Sequence, residues 1–289
     1  MAERLAIELA LMIFCEAAET FVVSDYPSAL ALAQTSRIVY NHIRAIILRR
    51  VIVTNHNARA IENLLLRSDS AALVLDLTLK ANAYQWKPPS WLFINLTNIR
   101  CLRGAEDLID IAIGGLPTSA RATLFKIHLW TSSLLTVSTE NLTHISVYLT
   151  DVANDPEPFS PALQWVNSCS SLTHLGIELV SREDCEYNRF VESQQLMASL
   201  RTIFDAGGPR LREIAIRLCG EIYTTADNWA HYLNRFRDAS AIYGWDQRVR
   251  IWRDRRNFEC IEEDIEAGIV DAAAGIDVWS EALPLGVLV

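Results

Sequence analysis

The chain has 289 residues, 51% of them apolar, with a formal net charge of −9 and a pI near 5.2. This apolar content is enough to bury a large core and excludes a disordered chain. The acidic balance excludes a general binder of nucleic acid or of anionic membranes, because binding there requires basic residues that displace phosphate counterions.

Two helices are predicted at the N-terminus. Residues 5–18 are apolar nearly all round, which predicts a helix that is buried on most sides. Residues 28–47 are amphipathic with a helical period, and Pro27 suits the start of that helix. We expect these two helices to pack together as a compact pair.

A short motif runs through the first 47 residues. Leu5-Ala6-Ile7-Glu8 precedes an apolar helix, and Leu30, Leu32 and Ser36-Arg37 follow in that order. This pattern resembles an F-box, whose members open with Leu-Pro-x-Glu and later carry leucines and a Ser/Cys-Arg pair before a tryptophan. The sequence departs from the family at two positions, with Ala6 in place of the proline and Val39 or Tyr40 in place of the tryptophan.

The resemblance implies a partner and a set of contact residues. An F-box docks a Skp-type adaptor of a cullin-RING ubiquitin ligase, and leucine-rich repeats often follow it and hold the substrate. The resemblance implies that the adaptor-binding residues are Leu5, Ile7, Glu8, Leu11, Leu30 and Leu32. In the alternative interpretation, residues 1–47 are only a helical cap that covers the first open face of a repeat array.

An apolar spacing, L-x-x-L-x-I-x-L, recurs along the rest of the chain. It is found in Asn141–Asp151, Ser171–Ser181 and Arg210–Gly220, and weaker copies begin near residues 48, 72, 96 and 124. Alternation at period two places the apolar side chains on one face of a short strand. Such strands need neighbours of the same kind, so the repetition predicts a stacked parallel array.

Helices are predicted between these strands, and a further strand and helix follow them. The predicted helices are Ala58–Arg67, Ala105–Ile113, Pro161–Ser168, Glu192–Asp205, Thr225–Ser240 and Phe258–Ala274, with a last strand at Gln247–Trp252. Asp151–Phe159 is predicted to be an exposed insertion, and the apolar tail Leu283–Val289 to cover the open end of the array.

The sequence therefore predicts an α/β fold, an irregular leucine-rich-repeat-like solenoid with parallel strands. The predicted domains are a helical F-box-like segment or cap at 1–47, the repeat domain at 48–257, and a C-terminal helical cap and tail at 258–289.

The polar face of the predicted strands is the candidate partner-binding surface. If the strands are in register, Asp76 meets Arg100, Trp130 meets Tyr148, and Glu178 meets Arg217. Exposed aromatic and arginine side chains are enriched at protein interfaces. The predicted partner-binding residues are Arg100, Trp130, Tyr148, Glu178 and Arg217. The alternative is that such pairs only stabilise the sheet, each by a few tenths to about 1 kcal/mol.

No motif in the sequence indicates catalysis, a cofactor or a metal. There is no Gly-x-Ser-x-Gly turn and no glycine-rich phosphate loop with a lysine. His144 and His174 occupy equivalent positions in two successive repeats, which raises a metal hypothesis, but no cysteine or carboxylate completes the set. We therefore expect no catalytic residues, no metal and no cofactor.

The cysteines and the hydropathy bear on location. The chain has 6 cysteines without a Cys-x-x-Cys pair, which is typical of buried thiols in a reducing compartment. No apolar run reaches the roughly 18 residues of a membrane-spanning helix. We expect a cytoplasmic or nuclear protein without a membrane or nucleic-acid partner.

These expectations combine into one functional hypothesis. The chain is predicted to be the substrate-recognition subunit of a Skp-cullin-F-box ubiquitin ligase, binding an unknown protein substrate through the repeat face. The alternative is a leucine-rich-repeat protein-interaction module without a ligase role. A hydrolase or transferase would require a deep pocket with converging polar groups.

Overall fold

The computed structural model describes residues 2–24, 26–80, 86–130, 141–150, 159–180, 186–220, 226–244, 248–256, 258, 261–274 and 276–284. The helices in these ranges are α1 (Ala2–Ser24), α2 (Tyr26–Gln34), α3 (Arg37–Leu48), α4 (Ala58–Leu65), α5 (Ser68–Ala71), α6 (Glu106–Gly115), α7 (Thr118–Thr123), α8 (Ser160–Ser168), α9 (Glu186–Gly207), α10 (Ala226–Tyr243), α11 (Ile261–Ala273) and α12 (Val278–Glu281), with a 3-10 turn at Ser90–Phe93. The strands are β1 (Arg50–Val53), β2 (Asp76–Leu79), β3 (Cys101–Gly104), β4 (Lys126–Leu129), β5 (His144–Thr150), β6 (His174–Val180), β7 (Glu213–Cys219), β8 (Val249–Arg253) and β9 (Leu283–Pro284).

The strands form one nine-stranded sheet in which each strand neighbours the next along the chain. The pairs from β1 to β8 are parallel, and only β8 and β9 are antiparallel. Parallel neighbours need a crossover connection, and helices lie in most of these connections. The predicted α/β class with parallel strands is confirmed.

The recurring apolar positions lie side by side on one face of this sheet. Ile145 pairs with Leu175, which in turn pairs with Ile214, and all three are fully buried. They belong to one continuous core that also contains the inner faces of α4, α6, α8, α9 and α10. The full copies of the repeat therefore identified the core-facing side of β5, β6 and β7, because period two places alternate residues on the same face. The weak copy at β3 did not, since Leu102 and not Cys101 belongs to this core.

The first three helices have a small core of their own. Ala18, Ala29, Val39, Ile43 and Ile47 form a buried cluster separate from that of the sheet. The single helix predicted at 28–47 is wrong, because the chain breaks between α2 and α3. Ser36 caps α3 by accepting a hydrogen bond from the backbone N–H of Val39 at 3.1 Å, and this N-cap starts a new helix.

The C-terminal segment folds back over the face of the sheet opposite the main core. Phe258 packs against Tyr148, Val180 and Cys219, while Val278 and Ala282 pack against Ala215. The described part of the predicted apolar tail, Leu283 and Pro284, pairs with β8 at the end of the sheet. Residues 285–289 and residues 151–158 of the predicted insertion lie outside the described ranges.

The described cysteines are free thiols. Cys101, Cys169 and Cys219 are buried and Cys15 is half-buried, whereas Cys185 and Cys260 fall outside the residues with described side chains. Burial raises the pKa of Cys219 to about 12, so that thiol stays protonated. Within the part of the chain that the structure describes, no helix combines the length and the apolar content needed to cross a bilayer.

Candidate functional site

The polar face of the sheet is the place where the predicted partner-binding residues were expected to lie together. The predicted register is wrong at β2 and β3. Asp76 pairs with Cys101 in the sheet and accepts a hydrogen bond from Arg50 Nε at 3.3 Å, while Arg100 precedes β3 and is exposed. The apolar residues around Ile99 matched the repeat but lie before the strand, so the strand starts later than predicted. The residue that occupies this column on β3 is Arg103, between Thr78 and His128.

The predicted contact between Glu178 and Arg217 is confirmed. The two residues are paired across β6 and β7, and Arg217 Nη1 donates to Glu178 Oε2 at 3.0 Å. Trp130 follows β4 and Tyr148 lies on β5, and both line one pocket. The structure thus brings together Trp130, Tyr148, Glu178 and Arg217, and it places Arg100 elsewhere.

The expectation that this patch is an exposed protein-binding surface is wrong for two of its residues. Tyr148 is 5% exposed and Arg217 is 3% exposed. The cause is α11, whose Asp264 accepts hydrogen bonds from both side chains. Trp130 and Glu178 are half-buried. The apolar spacing of the strands could not predict this burial, because α11 comes from a distant part of the chain.

Arg217 is the centre of a buried ion cluster. Its Nη2 donates to Asp254 Oδ2 at 2.7 Å and to Asp264 Oδ1 at 2.5 Å. Burial opposes the charge of Arg217, but the carboxylates of Glu178 and Asp264 raise the pKa of the guanidinium well above its usual value. Burial and the charge of Asp264 raise the pKa of the Tyr148 hydroxyl, which therefore stays protonated and donates to that carboxylate.

A second arginine extends the cluster towards α11. Arg256 Nη2 donates to Asp254 Oδ2 at 2.7 Å and to Asp271 Oδ2 at 2.6 Å. Burial would raise the pKa of Asp254, but the hydrogen bonds and charges of Arg256 and Arg217 hold it below its usual value. The cluster therefore joins the end of the sheet to the covering helix through charge-assisted hydrogen bonds.

A pocket lies between this cluster, the polar face of the sheet and α11. Its cavity volume is about 50 Å³, and it is partly open to solvent. Its walls combine charged and aromatic side chains from the sheet with side chains of α11 and of the segment before α12. The lining includes Arg103, His128, Trp130, Tyr148, Glu178, Arg217, Asp264, Ile265, Asp271, Ile276, Asp277 and Val278.

Three histidines, His128, His144 and His174, lie on neighbouring strands of the sheet beside this pocket. His144 and His174 pair across β5 and β6, and their rings stack with centroids 4.1 Å apart. Burial, followed by the charge of its neighbour His174, lowers the pKa of His144 to about 4. Burial also lowers the pKa of His128 and of His174, so the three imidazoles are neutral near pH 7. Among the described residues, no three histidine, cysteine or carboxylate side chains are grouped as metal ligands.

The predicted adaptor-binding residues divide into two groups. Ile7 is 58% exposed, and Glu8 and Leu30 are exposed as well. Leu11 and Leu32 instead pack against the core of α1–α3. Leu5 lies in α1, and its side chain is outside the description.

The predicted adaptor-binding residues do not include an exposed apolar stripe on α1. Leu9, Met12 and Ile13 are all exposed, with Met12 at 68%. Their i, i+3, i+4 spacing places them on one side of the helix, and this spacing is visible in the sequence. The sequence predicted that the helix at residues 5–18 is buried on most sides. That prediction is wrong for the chain by itself, because the side of α1 with Leu9, Met12 and Ile13 is exposed to solvent.

The comparisons with known proteins add no family. Neither the protein-family models, nor the curated proteins, nor the solved structures contain a statistically supported match to this chain.

Proposed function

We propose that this chain is a substrate-recognition subunit of a Skp-cullin-F-box ubiquitin ligase and that α1–α3 dock the Skp-type adaptor. The observation that carries the proposal is the exposed apolar stripe of Leu9, Met12 and Ile13 on a helical unit with its own core. Large adjacent apolar side chains at a surface mark sites of protein association. The F-box resemblance of the same segment supports an adaptor as the partner.

The energetics favour a covering partner over solvent. Burying one side chain of this size contributes about 1.5–3 kcal/mol, and the stripe has three, with Ile7 and Leu30 also exposed on the same helical unit. The core of α1–α3 does not depend on these side chains, so the unit can present them without unfolding.

The repeat-like part of the proposal is supported by the order of the strands. Parallel strands that succeed one another without reversal from β1 to β8 are the arrangement that stacked leucine-rich units produce. In this proposal the substrate contacts the pocket side of the sheet through Trp130 and Glu178, which are half-buried, while Tyr148 and Arg217 lie beneath α11. Because α11 covers this face, a protein substrate enters with one side chain or a short segment, and the proposal assigns the chain no catalytic step.

The test is a pull-down of purified full-length chain with a Skp-type adaptor. We expect wild type to be retained and the variants Ile7→Asp/Leu30→Asp and Leu9→Asp/Ile13→Asp to be lost, because a carboxylate in the contact would have to be desolvated. The matched control is Leu66→Asp/Ile242→Asp, which changes exposed apolar residues outside α1–α3 and should be retained like wild type. Equally poor retention of wild type and both test variants would refute the adaptor role.

The alternative is an interaction module in which α1–α3 only cap the sheet. One contact favours it, since Arg44 on α3 reaches Asp69 on α5 at 3.4 Å and so ties the helical unit to the body. A cap predicts that removal of residues 1–47 lowers the melting temperature sharply. An adaptor-docking unit predicts a small change, since its core is separate.

A further inference from the structure

Two buried polar atoms beside the pocket have no hydrogen-bond partner among the described residues. Arg103 Nη1 and His128 Nε2 are shielded from solvent, and neither atom forms a hydrogen bond with a described residue. His128 as a whole is 8% exposed. The two residues are paired across β3 and β4 and both line the pocket. Arg103 as a whole is half-buried. A buried polar atom without a hydrogen-bond partner is costly and rare in native structures, and a ligand that binds there is one explanation for such an atom.

The carboxylates of the pocket already have hydrogen-bond partners. Glu178 accepts from Ser146 and Arg217, and Asp264 accepts from Arg217 and Tyr148. Asp271 is held by Arg256 in the same way.

Asp277, the fourth carboxylate of the pocket, forms an ion pair with Lys126 and accepts hydrogen bonds from the backbone N–H groups of Trp279 and Ser280. Among the described charged residues that line the pocket, Arg103 is therefore the one without a hydrogen bond or an ion pair.

The remaining walls are mostly apolar. Trp130 supplies an aromatic side chain next to the sheet, and Ile265, Ile276 and Val278 line the side formed by α11 and the segment that follows it. A pocket of this kind takes a ligand with an apolar body and a few polar groups that fix its orientation.

We propose that the pocket binds a small organic oxyanion, a carboxylate or a phosphate ester, with the anionic group on Arg103 and His128 and the apolar body against Trp130. The guanidinium donates to the oxyanion in a charge-assisted hydrogen bond. The neutral His128 ring offers an N–H from Nε2 in one tautomer. This inference does not depend on the ligase role, because a free small molecule and an acidic side chain of a protein partner would both present an anionic oxygen to the pocket.

The experiment measures binding to the full-length chain by calorimetry and by thermal shift. The probes are phenylacetate, phenyl phosphate and the neutral phenylacetamide. We expect one or both anions to bind at millimolar concentration or tighter, and the amide to bind at least about tenfold more weakly, since it lacks the charge. The relative affinities of the two anions show whether the site prefers a carboxylate or a phosphate.

The variants locate the binding. Arg103→Met should weaken anion binding at least about tenfold, Arg103→Lys should retain part of it, and the exposed control Arg100→Met should leave it unchanged. Because Arg103 forms no hydrogen bond or ion pair with the described residues, Arg103→Met without ligand should melt no lower than wild type.

Four results would overturn the proposal. They are the absence of binding by every probe, equal binding of anion and amide, undiminished binding by Arg103→Met, and a melting temperature of that variant well below wild type, which would assign Arg103 to the fold. Adaptor retention is expected to be unchanged in Arg103→Met, so a failure of the oxyanion site and a failure of the adaptor role are separate results.

Discussion

The guanidinium of Arg217 on β7 and the carboxylate of Asp264 on α11 are in direct contact, with Nη2 and Oδ1 2.5 Å apart and both side chains almost fully shielded from solvent. This pair fixes the C-terminal helix over the polar face of the sheet. It thereby converts a surface that the strand pattern predicts to be open into the floor of a pocket.

The first prediction concerns the stability of this contact. Arg217→Met should lower the free energy of unfolding by about 3–5 kcal/mol, because it leaves carboxylates buried without their cation. Urea unfolding measures the change. The exposed control Arg100→Met should stay within about 0.5 kcal/mol of wild type.

A double-mutant cycle with Asp264→Asn tests whether Arg217 and Asp264 act together. We expect the double variant to be less destabilised than the sum of the two single variants, because the second change removes a charge that the first left unpaired. Strict additivity would contradict a direct coupling.

The second prediction compares two adjacent glycines at the end of α6. A Cβ on Gly115 would lie 1.7 Å from the backbone oxygen of Ser90, whereas a Cβ on Gly114 would have nothing within 4 Å. Gly115→Ala should therefore destabilise the chain, since backbone must move, and Gly114→Ala should stabilise it by about 0.5–1 kcal/mol. Thermal unfolding measures both, and similar effects of the two substitutions would refute the close approach of Ser90.

The third prediction concerns the packing of α12 on the sheet. A Cβ on Gly176 would lie 2.8 Å from Val278 Cγ1 and 2.8 Å from Ser146 Oγ. Gly176→Ala should cost about 1–3 kcal/mol as an overpacked contact. It should also speed amide hydrogen exchange in α12. Gly268→Ala on α11 is the matched control, with open space around the new methyl group, and unchanged exchange in both variants would contradict the predicted contact.

The fourth prediction concerns pH. The folded pKa of His144 is lowered to about 4 from 6.5, and that of His174 is lowered as well, so the unfolded chain binds these protons more readily. Their contribution to stability is complete above pH 6.5 and is lost as the pH falls towards 4. Chemical unfolding at a series of pH values should show this loss, and His144→Gln/His174→Gln should reduce the slope across that window.

The charged neighbours of this histidine pair stay in place in the variant. Lys126 lowers the pKa of His144 and Asp277 raises it, while Arg212 and Arg250 lower the pKa of His174. An equal slope in wild type and variant would assign the pH dependence to the carboxylates of the chain.

The sequence by itself determined most of the strands and the side that they bury, with β3 as the exception, where Leu102 and not Cys101 belongs to the main core. Ile145, Ile177 and Ile216 belong to copies of one spacing, and their place in the core follows from the two-residue period of a strand. The pairing of Glu178 with Arg217 followed from the same register, because β6 and β7 carry full copies of the spacing.

Only the tertiary structure decided what covers the other face. Arg103 entered the polar column because β3 starts later than its weak repeat suggests, and Asp264 reached Arg217 from a helix 47 residues further along the chain. Local periodicity records which face of an element is apolar, but not which distant segment returns to it. That choice depends on charge pairing and packing between residues far apart in sequence, and here it decides whether the polar face is an open surface or a pocket.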